Sequence, residues 1–131
     1  MQHDPPSILL HLRTPHLSAS LRNYLLSGGY PRVVGVATAE AVLAELRSRD
    51  YGYVLIELVD PIKRGEWMAQ AIALRWPRLR VIVLVDGAAL SQVRKNRRYC
   101  VVIKEYVFSN LLQSMSAGSH EAEHKNSEQE K

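Results

Sequence analysis

The chain has 131 residues, enough for one domain with a core of its own, and its single cysteine, Cys100, excludes an internal disulfide. Although 47% of it is apolar, no apolar run approaches the roughly 18 to 20 residues that span a bilayer, and MQHDPPSILLHL lacks the basic stretch and small-residue cleavage site of a secretory signal, so a cytoplasmic protein is expected. The formal net charge of +4 divides unevenly: residues 119–131 carry four Glu against two Lys, which leaves 15 basic and 9 acidic groups ahead of them and makes a basic body with an acidic end.

Short apolar runs alternate with longer segments of helical period. The first run is Ser7 to Leu12 (SILLHL). Thr14-Pro15 then starts a helix with Leu17, Leu21, Tyr24 and Leu25 on one side, stopped by Gly28-Gly29. RVVGV, Arg32 to Val36, is the second run, and Thr38 caps a second helix carrying Val42, Leu43 and Leu46. The third run, Tyr53 to Leu58, is followed by a helix predicted over Glu66 to Trp76 and ended by Pro77. Arg80 to Val85 is the fourth run, ahead of a short helix predicted from Ala88 to about Asn96. Cys100 to Ile103 is the fifth, ahead of a helix that places Phe108, Leu111, Leu112 and Met115 at i, i+3, i+4 and i+7. The domain is expected over residues 7–117. From residue 118 onward the sequence is polar, with no apolar residue larger than Ala after Gly118, and disorder is expected there.

Apolar runs of this length and Val/Ile/Leu content suit strands buried on both faces. Five of them alternating with helices predict an α/β fold: a flavodoxin-like, doubly wound, five-stranded parallel sheet of order 2-1-3-4-5 with helices on both faces. Ligands in such sheets bind beyond the carboxyl ends of the strands, which directs attention to Leu12 to Thr14, Glu57 to Pro61, Val85 to Gly87 and Lys104 to Glu105.

From Ile8 to about Met115 the chain resembles the receiver domains of bacterial response regulators. ILLHLRTP at the first strand, YVLIELVDP with IKRG at the third, WPRLRVIVLVD at the fourth, and VVIKE with Leu111-Leu112 downstream at the fifth carry the resemblance. The segment between Val85 and Lys104 is about one helical turn short of the pattern. The resemblance implies a phosphoacceptor aspartate at the end of the third strand, an acidic pair for Mg²⁺ after the first, a hydroxyl after the fourth and a lysine after the fifth. These positions are occupied by Glu57, by Leu12 and Arg13, by Val85 and by Lys104, so the lysine alone matches. The aromatic residue that moves with the hydroxyl aligns with Val101.

A degenerate, phosphorylation-independent pseudo-receiver is therefore expected: no enzyme, no cofactor, no metal, and a partner that is another protein, such as a response regulator or transcription factor. Arg13 is expected to stand in for the metal in a fixed cluster with Glu57 and Lys104. The bland alternative is a solvent-accessible Glu57 satisfied by Lys104. The resemblance also implies homo- or heterodimer formation through the fourth helix, fifth strand and fifth helix, where Arg94, Arg97, Arg98, Tyr99, Glu105, Tyr106 and Leu111 are candidate interface residues. A fainter likeness is to the amino-terminal domains of accessory LuxR-type regulators.

Other signals carry less. Asp60, as a shifted acceptor, lies away from Lys104, and Asp86 reads as a turn residue before Gly87. Arg94, Lys95, Arg97 and Arg98 would give a nucleic-acid patch, but as cations at a helix end they are also explained by the helix dipole. HEAEH, His120 to His124, has zinc-protease spacing without a buried helix around it. His11 is expected to be a satisfied histidine of the buried strand. Gly28-Gly29-Tyr30 lacks the pattern of a dinucleotide loop. Of Trp67 and Trp76, one is expected on the sheet and the other exposed.

Overall fold

A computed structural model describes residues 5–94, 97–108 and 115. Strands β1 (Ile8–His11), β2 (Val33–Gly35), β3 (Tyr53–Glu57), β4 (Arg80–Val85) and β5 (Tyr99–Ile103) alternate with helices α1 (Pro15–Ser27), α2 (Ala39–Ser48) and α3 (Ile62–Arg75). All pairings are parallel, and the sheet order is β2-β1-β3-β4-β5, the flavodoxin-like arrangement expected from the sequence.

Because successive strand residues face opposite ways, the apolar runs feed two cores at once. Ile8, Leu10, Leu55, Ile82, Leu84 and Val102 meet Leu21 and Leu25 of α1, with Val107 and Met115 completing that side. Leu9, Val54, Ile56, Val81, Val83 and Val85 meet Val42 and Leu46 of α2 and Ile62, Ala69 and Ile72 of α3.

The helix boundaries follow from local chemistry. The Thr38 hydroxyl accepts the Ala41 amide at 3.1 Å and starts α2. Gly28 caps α1, and Gly29 takes the left-handed φ of 100° that closes the turn. Helix α3 begins four residues before the predicted Glu66 and ends one before the predicted Trp76, which is its C-cap. The buried series Ile62, Glu66, Ala69, Ile72 has one continuous helical period, and Gly65 belongs to it: a Cβ there would lie 2.6 Å from Leu58 Cδ2, so the glycine marks close packing, not a loop.

The fourth predicted helix, Ala88 to about Asn96, is replaced by a 3₁₀ helix over Gly87–Gln92 that buries none of its residues. The segment has only Leu90 and Val93 as large apolar residues, too little to hold a longer helix on the sheet. Of the fifth predicted helix, Phe108 and Met115 are helical, Phe108 half-exposed and Met115 buried. Leu111, Leu112 and the polar residues 118–131, with His120 to His124, lie outside the described residues, as does Lys95.

Candidate functional site

Glu57 is the last residue of β3, and the ends of β1, β4 and β5 surround it. Its side chain is 1% exposed, so the solvent-accessible carboxylate considered from sequence is corrected to a buried one. Burial of a charge demands partners, and this one has four. Oε1 accepts the backbone amides of Arg13 at 2.7 Å and Thr14 at 3.0 Å; Oε2 accepts the Thr14 hydroxyl at 2.7 Å and the Lys104 ammonium at 2.8 Å. Each oxygen has two lone-pair directions, and all four are used. Thr14 precedes α1 and its hydroxyl makes no helix cap; it is turned to Glu57 instead.

Arg13 therefore does not act through its charge. Its guanidinium makes no ion pair with Glu57, and the residue enters the site by its main-chain amide. The second carboxylate on Lys104 is Asp86, directly after β4, at 3.3 Å and with its side chain 61% exposed. Asp86, read from sequence as a turn residue, thus belongs to the cluster, as does Thr14, read only as a helix start. The missed signal was the one hydroxyl at the end of the first apolar run.

Burial alone would raise the Glu57 carboxyl, but the hydrogen bonds from Lys104, Thr14 and the Arg13 amide outweigh it and hold the group below the usual carboxylate range. Burial alone would lower the Lys104 ammonium; its bond to Glu57, with help from Asp86, raises it above its ordinary value.

The arrangement does not fit Mg²⁺, which needs several oxygen ligands in an octahedron. Leu12 is half-buried against the α1-side core, Arg13 is a cation, and Glu57 has no lone pair left over. Val85 is fully buried in the other core and carries no hydroxyl. Asp60 is exposed in the loop after β3 and makes no bond to Lys104 among the described residues.

A second buried carboxylate was not anticipated. Glu66 of α3 faces inward and its Oε2 accepts the Tyr99 hydroxyl at 3.0 Å and the Arg94 amide at 2.8 Å. The Tyr99 phenol is pushed up to about 12 by burial and by this carboxylate. Tyr99, a candidate interface residue from sequence, is corrected to a buried one at 5% exposure, because β5 begins one residue earlier than predicted. Arg94 directly follows the C-cap of the 3₁₀ helix, and Arg97 and Arg98 occupy a turn before β5. Glu105 accepts the Gly87 amide at 3.1 Å, and Tyr106 is exposed.

His11 is buried with Nδ1 3.3 Å from the Val36 carbonyl, the satisfied strand histidine expected. Trp76 packs against the α2–α3 core with the Arg75 guanidinium 5.2 Å from its ring centroid, and Trp67 is 74% exposed.

No protein-family model matches the sequence, and comparison with curated proteins gives no match. Solved structures do match. A sensor protein from Polaromonas superposes with a TM-score of 0.65 at 18% identity, over 87% of this chain and 98% of that one. The receiver domain of RcsB from Salmonella enterica serovar Typhimurium gives 0.64 at 19% identity over 86% of each. The beryllofluoride-activated receiver domain of nitrogen regulatory protein C gives 0.57 at 17% identity, over 87% of this chain and 97% of that one. The fold is that of response-regulator receiver domains.

Proposed function

We propose that the chain is a receiver-like signalling module that works without phosphorylation, catalyses no reaction, and acts in signal transduction or transcriptional regulation by binding another protein, such as a response regulator or transcription factor. One observation carries this: both oxygens of Glu57, at the position where receivers accept the phosphoryl group, are saturated by donors from within the chain. A nucleophilic carboxylate needs a free lone pair directed at the incoming phosphorus. Attack by Glu57 would first have to break a buried ion pair, with no cluster of metal-ligating side chains beside it among the described residues and no hydroxyl at Val85 to follow the product.

The test is titration of the chain with beryllofluoride and Mg²⁺, followed by amide chemical shifts, alongside mass spectrometry after exposure to acetyl phosphate. The expected result is no adduct and no shift at Glu57, Thr14 or Lys104. Mg²⁺-dependent labelling of Glu57 or Asp60 would overturn the proposal in favour of a conventional acceptor. Salt-sensitive DNA or RNA binding that is lost in Arg97→Ala would overturn it in favour of direct nucleic-acid recognition.

A further inference from the structure

Helix α3 turns Ile62, Glu66, Ala69 and Ile72 into the core, and what it leaves outside is unusual for a solvated face. Trp67 and Leu74 are 74% and 61% exposed, the most exposed large apolar side chains among the described residues. They are seven residues apart, two helical turns or about 10 Å along one side of the helix, with exposed Ala71 between them. The exposed charges of the helix are all cationic: Lys63 and Arg64 near its start and Arg75 at its end. Its one carboxylate, Glu66, is buried and bonded inward.

Past Arg75 the cationic character continues. A cavity of about 300 Å³ between the ends of α2 and α3 is walled by Arg49, Tyr51, Arg75, Trp76 and Arg78, with Asp50 as its one carboxylate. A strip of two apolar anchors with cations at both ends thus runs along α3 into an arginine-lined hollow. None of its residues takes part in the Glu57 cluster.

We infer that this strip docks an acidic amphipathic helix of a partner protein. The partner's apolar side would cover Trp67 and Leu74, and its carboxylates would meet Lys63 and Arg64 at one end and Arg75, Arg78 and Arg49 at the other. Charge complementarity selects an acidic partner. An exposed tryptophan one turn from two cations has the composition of an interface anchor. The chain's own acidic end does not suit the strip, because residues 119–131 contain no apolar side chain larger than Ala. A lipid surface is disfavoured because interfacial helices bind through a broad apolar face, and that face of α3 is already in the core. Nucleic acid would use the cations and Trp67 but leave Leu74 without a role. The inference rests on the protein-binding reading above and adds the partner's chemistry to it.

Fluorescence anisotropy of a labelled model helix, with Leu along one face and Glu elsewhere, tests the inference on the full chain. The expected result is saturable binding, weakened about tenfold by Trp67→Ala and by Leu74→Ala, and weakened at low ionic strength by Arg75→Ala with Arg78→Ala, a loss that shrinks as salt is added. The altered side chains are exposed, and unchanged thermal unfolding of each variant confirms that the fold is kept. No binding, binding indifferent to Trp67→Ala, or equal or tighter binding of a Leu/Lys helix, a single-stranded oligonucleotide or phosphatidylserine vesicles would overturn it. The beryllofluoride titration does not involve α3, so a chain inert to beryllofluoride that ignores the acidic helix loses this inference alone.

Discussion

A glutamate at the end of β3 reaches where an aspartate would not. The additional methylene advances the carboxylate by about 1.5 Å, far enough to sit among two amides, a hydroxyl and an ammonium drawn from two other strand ends. Lys104 is the only full charge among those donors, so its removal leaves a buried anion held by dipoles. Lys104→Met is expected to cost about 2 kcal/mol in urea denaturation at neutral pH, below the usual figure for a broken buried pair because three donors remain. The pH dependence has a definite sign at each end. Glu57 is held below its ordinary value, so its contribution is complete above the unfolded carboxyl value of about 4.3 and is lost as pH falls through the lower folded value. Lys104 is raised, so its contribution is complete below about 10.4 and is lost as pH rises through the higher folded value. In Lys104→Met the share of the alkaline loss that Lys104 contributes should vanish, leaving that of the buried phenol of Tyr99, and the acid loss should begin at higher pH, both readable from urea midpoints across a pH series.

At the scale of elements, the segment between β4 and β5 shows how a short connection can be secured without a full helix. The 3₁₀ helix over Gly87–Gln92 buries nothing of its own, and the chain after it is pinned by Glu66, which holds the Arg94 amide and the Tyr99 hydroxyl together. Glu66→Ala would strand a buried phenol and an amide. It should cost about 2 kcal/mol and speed hydrogen exchange at the Arg94 amide more than at Val42 in α2. This latch was hidden in the sequence because Glu66 was read as the polar first residue of a helix; Gly65 disguised the helical turn before it. The strands were easier to read. Val/Ile/Leu runs that serve both faces leave few alternatives to a parallel sheet, and Arg80–Val85 matches its predicted span to the residue. The predicted fourth helix failed because spacing alone, without enough apolar surface to bury, does not make a helix.

The whole molecule assembles the site from segments that sequence reading treats separately. Order along the chain and the two-faced apolar runs made the sheet topology predictable, and the departures at Leu12, Arg13 and Val85 were visible as letters. What no local pattern could give is how the carboxylate would be satisfied, since its donors lie 43 to 47 residues away and two of them are backbone amides, which every residue but proline supplies. That separation has a kinetic consequence. The full set of Glu57 bonds can close only after β1, β3, β4 and β5 have taken their places in the sheet, so loop-closure entropy places its completion late on the folding route, after the sheet has condensed. Thr14→Val should therefore accelerate unfolding while leaving the refolding rate nearly unchanged, a φ-value near zero in stopped-flow chevrons. The carboxylate that in the receiver fold marks the place for switching would then serve as a bolt, setting how long a folded molecule lasts.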